Sequence, residues 1–171
     1  IHRAVQSNLS FRQLLGIRDP LREIMRGLCG GVLTVPPAMA LAYATGKIIT
    51  ALSGMPPERQ PVMESILMPS TPLPVAVIAL ILCVTLTPLA EEIMYRGVLV
   101  SVLRLRHSTG YAVLLSSVFF SLLHLNLTLL PSLGFVGAAF ALAYLKSRSL
   151  LTSMAMHAAF NGTNLLLATW P

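Results

Sequence analysis

Six side chains in this sequence have types and spacings suited to chemistry on water: Glu91, Glu92, Arg96, His124, His157 and Asn161. The chain holds only six acidic residues, and two of them stand side by side in Pro88-Leu-Ala-Glu-Glu-Ile-Met-Tyr-Arg-Gly97, directly after the apolar run Val75 to Leu86. Ionisable groups at such positions are costly in hydrocarbon, so they face a partner or a hydrated cavity and mark function. On a helix Glu92 and Arg96 are four apart, share a face and form an ion pair. Glu91 is turned by about 100° from Glu92 and need not share that arginine, which leaves it free to polarise water. His157 and Asn161 are also four apart and point into one cavity.

The elements that must carry these groups are membrane helices. The chain has 171 residues, 55% hydrophobic and 11% charged, against roughly 25% charged in soluble domains. The expected fold class is therefore all-α: a polytopic transmembrane helix bundle of about five spans, preceded by an N-terminal interfacial amphipathic segment. We divide the chain into a basic interfacial segment, residues 1–27, and a membrane core, residues 28–171. The interfacial helix is expected over Leu9 to Arg26, broken at Asp19-Pro20. Spans are expected at Leu28–Leu52, kinked by Gly30-Gly31 and Pro36-Pro37; Val75–Leu103; Thr109–Leu127; Pro131–Lys146; and Ser149–Trp170. The second is long for its task, since about 29 residues make about 43 Å of helix against about 30 Å of hydrocarbon. A kink at Pro88, or a tilted, broken or re-entrant helix, is expected there. Ser53 to Pro74, with Glu58, Arg59 and Glu64, reads as the longest loop.

The net charge of +6 does not form one nucleic-acid-binding face. Arg3, Arg12, Arg18, Arg22 and Arg26 precede the first span, Arg104 and Arg106 follow the second, and Lys146 and Arg148 follow the fourth. By the positive-inside rule these basic loops are cytoplasmic, the partner of the positive charge is the lipid bilayer, and no nucleic acid is expected. Cys29 and Cys83 lie in apolar runs without metal-ligand spacing and read as packing residues. His2 and His107 lie in polar flanks and read as surface residues. The chain begins at Ile1 with no cleavable signal sequence in view, so we expect a processed product or a piece of a longer protein with earlier spans. Counted from the expected cytoplasmic ends, Glu91 lies about 20 Å deep, His124 about 22 Å, His157 about 12 Å and Asn161 about 18 Å. Different spans thus deliver the polar groups to overlapping depths.

Glu91-Glu92-x-x-x-Arg96, Phe120-x-x-x-His124 and His157-x-x-x-Asn161, in this order, resemble the three motifs of the CPBP family of CAAX prenyl proteases and bacteriocin-processing enzymes, also called Abi. The resemblance covers roughly Leu14 to Leu167, including Leu15-Gly16-Ile17-Arg18 before the first span. It implies an intramembrane endopeptidase acting on a peptide or membrane-associated protein, residing in the plasma (inner) membrane. It further implies that Glu91 and His124 bind and activate the attacking water, that His157 and Asn161 stabilise the oxyanion, and that Arg96 holds Glu92. Amide hydrolysis needs both of these provisions.

The same resemblance leaves room for Zn²⁺ on Glu91, His124 and His157 with one open position. Asn161 and the Glu92–Arg96 pair favour a metal-free glutamate mechanism, so no cofactor is preferred. Phe120, on the face of His124, is expected to pack rather than react. Two rival functions use similar residues. A proton-coupled transporter would show inverted repeats with interrupted helices, and none is evident. A non-catalytic scaffold or immunity-type member would most simply have lost a motif residue, and none is lost.

Overall fold

The computed structural model describes residues 15–56, 66, 68 and 70–169. Among them there is no strand, and the elements are five helices. They are α1 (Pro20–Ser53), α2 (Leu73–Leu103), α3 (Thr109–Leu122), α4 (Leu130–Ser147) and α5 (Leu150–Thr169). They stand where five spans were expected. Helices α1, α2 and α4 are long and apolar enough to cross a membrane. Helix α3 has 14 residues, or about 21 Å, short of the about 30 Å of hydrocarbon. The chain is thus an all-helical bundle of an integral membrane protein.

Three boundaries differ from expectation. Helix α1 runs unbroken from Pro20, across the division drawn at 27/28, so residues 20–27 are its first two turns. Asp19-Pro20 is the start of the helix rather than a break within one. The Asp19 carboxylate accepts the Arg22 N–H at 3.2 Å, and proline suits the first position because its missing N–H would be unpaired there anyway. Residues 9–14 of the expected amphipathic helix lie outside the described residues, as do His2, Arg3, Arg12, Glu58, Arg59, Glu64 and Trp170. Helix α3 ends at Leu122, not Leu127, because the chain turns through Leu125, whose φ of 50° is left-handed. That conformation cannot continue a right-handed helix.

Helix α2 is neither broken nor re-entrant. Its 31 residues run without interruption, but two stretches, Leu82–Leu86 and Ile93–Val100, adopt the wide π-helical turn and flank Thr87–Glu92. Such turns are rare and recur at functional sites. The most apolar window of α2 is only 6% buried inside the bundle; its first half, including Leu73, Ile78 and Ile81, is left to lipid.

The interior is built where all five helices meet. Ala38 of α1, Tyr95 of α2, Phe120 of α3, Val136 and Phe140 of α4 and Met156 of α5 form one cluster. Helix α5 lies between α1 and α2 and is pressed hardest against α1. Gly27 and Gly31 make that approach close: a Cβ at Gly31 would stand 2.3 Å from the Met156 carbonyl oxygen and 2.6 Å from Ala159 Cβ. The small-xxx-small pairs Gly27/Gly31 and Ala155/Ala159 thus face each other, the usual way for membrane helices to gain dispersion contact without a hydrophobic driving force. The entrance of α1 is fastened to the start of α5: Glu23 accepts the Ser149 hydroxyl at 2.7 Å and the Arg18 N–H at 2.9 Å. Leu15 accepts the Leu150 N–H at 3.0 Å.

Candidate active site

The site begins with the backbone of α2. Thr87 N–H donates five residues back, to the Leu82 carbonyl. In that wide register the Cys83 carbonyl faces position 88, where proline has no N–H to give. Asn161 Nδ2 donates to the Cys83 oxygen at 2.9 Å. The polar end of Asn161 is thereby fixed against α2 with its second amide N–H still to use.

One turn further along α2 come the charges. Glu92 Oε1 accepts Arg96 Nη1–H at 2.7 Å and His157 Nδ1–H at 3.0 Å. Arg96 Nη2 donates to the Gly137 carbonyl of α4 at 2.9 Å. Both Glu92 and Arg96 side chains are wholly buried, at 0% exposure. The guanidinium also lies 5.0 Å from the Phe120 ring centroid, 5.4 Å from Phe140 and 5.6 Å from Tyr95. A cation among aromatic faces keeps electrostatic contact where water is excluded. Gly137 makes this possible by bringing α4 close to α3: a Cβ there would sit 3.1 Å from Ser117 Cα and 3.2 Å from Phe120 Cδ1.

His157 is held by its neighbours on three sides. Phe140 lies 4.8 Å and Phe120 5.8 Å from its ring centroid. Giving Nδ1–H to Glu92 directs Nε2 the other way, to 3.9 Å from Glu91 Oε2. The two glutamates thereby take different positions around one histidine. Glu92 is fully enclosed and orients the ring, whereas the Glu91 side chain keeps 24% exposure. Its Oε2 is buried and has no hydrogen-bond partner.

His124 stands in the turn after α3, not within the helix as expected. Its Nδ1 lies 2.6 Å from the Phe120 carbonyl oxygen. That oxygen can only accept, so Nδ1 carries a proton and Nε2 is the ring's free nitrogen. The ring stacks obliquely on Phe120 at 4.8 Å. The structure therefore brings Glu91, Glu92, Arg96 and His157 into one cluster, ties Asn161 to its α2 wall, and connects His124 to it through the Phe120 ring. Phe120 packs, as expected, with 1% exposure.

The suggested Zn²⁺ set of Glu91, His124 and His157 does not converge. Among the described residues no three His, Cys, Asp or Glu side chains come close enough together to hold a metal ion. We derive no step through a metal. Sequence reasoning missed Phe140, Gly137 and the Cys83 carbonyl. Phe140 has no signal that separates it from other apolar residues, and Gly137 stood only in a Gly- and Ala-rich helix suited to close packing. Outside the site it also missed Glu23, whose signal, an acid in the first turn of a helix capped by Asp19, was present.

Comparison with known proteins gives a family for the chain. No curated protein and no solved structure matches the chain. Residues 73–163, just over half of the chain, match the family model described as type II CAAX prenyl endopeptidase Rce1-like. All six residues singled out for chemistry fall within that stretch. The chain belongs to the type II CAAX prenyl endopeptidase Rce1-like family, a family of peptide-bond hydrolases.

Proposed function

We propose that this protein is an intramembrane endopeptidase that cleaves peptide or membrane-associated protein substrates with water activated by Glu91. The observation that carries the reading is the unequal treatment of two adjacent carboxylates around one histidine. Glu92 is wholly buried, is neutralised by Arg96 and fixes His157 through Oε1, while Glu91 keeps 24% exposure and sets its Oε2 3.9 Å from His157 Nε2; the Oε2 of each carboxylate has no hydrogen-bond partner. A general base needs an acceptor within reach of water and an environment that does not already satisfy it.

In this mechanism Glu91 takes a proton from water as its oxygen attacks the scissile carbonyl. His124 Nε2, a lone pair held in place by the Nδ1–H bond to Phe120, serves as the second acceptor for that water. The negative charge then moves to the carbonyl oxygen. His157 Nε2–H and the second N–H of Asn161 donate to it, preorganised in a site from which Phe120 and Phe140 exclude water. Glu91 returns its proton to the leaving amine. Arg96 acts through Glu92 as a positioning residue. The mechanism is metal-free, the basic loops face the cytoplasm, and the protein resides in the plasma membrane.

The test is cleavage by purified protein in liposomes, with a panel of membrane-anchored peptides that includes prenylated and unprenylated CAAX sequences. Glu91→Gln, which keeps the shape and removes the base, is expected to lower turnover by about 10²–10⁴ with the thermal transition unchanged. Full turnover in Glu91→Gln sinks the mechanism. Activity that survives exhaustive chelation supports the metal-free route, and loss reversed by Zn²⁺ overturns it.

A further inference from the structure

Two clefts of opposite chemistry meet at Thr109, at the start of α3. The first, about 320 Å³, is a trough along both helices lined by Gly110, Val113, Leu114, Val118, Ala138 and Leu142, among others, and is almost wholly apolar. Glycines leave it open. A Cβ at Gly110 would meet nothing within 4 Å, and one at Gly134 would meet only Ser121 Oγ at 3.9 Å. Leu114 and Leu142 are well exposed, so the trough opens on the face that lipid covers. The second cleft, about 310 Å³, is lined by Arg104, Thr109, Tyr144, Leu145 and Arg148. No acidic residue lines either one.

We propose that these joined clefts are a binding site for an anionic glycerophospholipid, its phosphate between Arg104 and Arg148 and an acyl chain in the α3–α4 trough. Both arginines are exposed and lie at the charged end of the bundle, where an interfacial headgroup would sit. The Arg104 guanidinium donates to Thr109 Oγ1, which stations it at the junction. The start of α3 adds first-turn N–H groups and the positive end of a helix dipole, which favour an anion. Basic pockets between membrane helices recognise anionic headgroups in this way. The trough decides for a lipid over a free phosphate, because a soluble anion has no use for an apolar channel. The site is separate from the hydrolytic cluster and does not depend on its mechanism. It is close to it nonetheless: Ser117, which lines the trough, is the residue against which Gly137 packs, and the Gly137 carbonyl holds Arg96.

The experiment is native mass spectrometry of the detergent-purified chain with phosphatidylglycerol or phosphatidylcholine of identical acyl composition. The wild type is expected to retain phosphatidylglycerol preferentially. Arg104→Gln with Arg148→Asn is expected to weaken that retention about 30-fold, at roughly a factor of five or more per arginine. Asparagine is chosen at 148 because Arg148 is left-handed, with φ of 56°, a conformation asparagine tolerates. A charge-matched control, Arg106→Gln with Lys146→Gln, removes two cations that line neither cleft and is expected to retain the lipid. Gly134→Leu, which fills the trough and leaves the arginines, is expected to weaken both lipids. Equal retention of the two lipids, equal loss in the control pair, or displacement of phosphatidylglycerol by equimolar glycerol phosphate each overturns the proposal.

Discussion

Gly31→Ala offers the sharpest test of how the bundle positions its chemistry. The added Cβ would stand 2.3 Å from the Met156 carbonyl oxygen, 2.6 Å from Ala159 Cβ and 3.0 Å from the Phe160 N. Ordinary contact begins near 3.4 Å, so the deficit against the Met156 oxygen is 3.4 − 2.3 = 1.1 Å. Two of the three obstacles are backbone atoms of α5 and cannot swing aside as a side chain would. Helix α5 must therefore move away from α1 by about 1 Å, and it carries His157 in the turn beside Met156. Overpacking of this kind costs about 1–3 kcal/mol. A displacement of 1 Å at a catalytic group costs about 10²-fold in rate, because a 3.0 Å His157–Glu92 bond does not survive it. Thermal unfolding in detergent and peptide cleavage are read together. Gly162→Ala, whose Cβ would meet only Val84 Cγ1 of α2 at 3.9 Å, is the control on helix α5, away from α1. It is expected to leave both readings unchanged or slightly improve stability through helix propensity. Wild-type stability and turnover in Gly31→Ala would refute the idea that this close approach sets the register of His157.

Other substitutions separate charge balance from chemistry. Arg96→Met leaves Glu92 buried without its cation and is expected to destabilise the protein by about 3–5 kcal/mol; adding Glu92→Gln should restore much of that in a denaturation experiment without restoring cleavage. Asn161→Ala removes an oxyanion donor and the partner of the Cys83 carbonyl, so kcat should fall by about 10²–10³ and the thermal transition should drop as well. Asn161→Asp, which lacks the amide donors but keeps the size, should be as inactive as alanine in the same cleavage assay. His124→Gln should lower turnover with little change in unfolding temperature, since His124 lies in a half-exposed turn outside the core cluster.

The Glu92–Arg96 pair was legible in the sequence because it depends on a short local spacing. The two lie one helical turn apart wherever a helix forms, so their pairing could be read without knowing what packs on them. The five apolar runs gave the helices to within a few residues at α2, α4 and α5. What could not be read depends on the partner. The first wide stretch of α2, Leu82–Leu86, is matched by Asn161, 78 residues away from the carbonyl it caps, and no local propensity reports that. The run Leu122 to Leu130 is leucine-rich, interrupted only by His124, Asn126 and Thr128, and has no Gly or Pro, so no helix breaker marked the end of α3 ahead of His124. At α1 the signal was present and misread. Asp19-Pro20 is a cap followed by a first-position proline, and Gly27-xxx-Gly31 is a packing motif, although the adjacent Gly30-Gly31 pair drew attention to bending instead.

The wide turns of α2 also govern its phase. Pro88, Glu92, Arg96 and Val100 are all buried, at a strict interval of four. In an ideal α-helix four residues turn through about 400°, so such a row slips sideways by about 40° per step and by about 120° over three. A straight α2 would rotate Val100 out of the interior if Glu92 faced in. The π-helical turns hold more residues per revolution and absorb this slippage, so the row stays parallel to the helix axis. Spare residues in the turns thus act as a vernier: they keep a carboxylate, its arginine and the apolar residue beneath them aligned under one aromatic wall, while the opposite side of the same helix stays facing lipid.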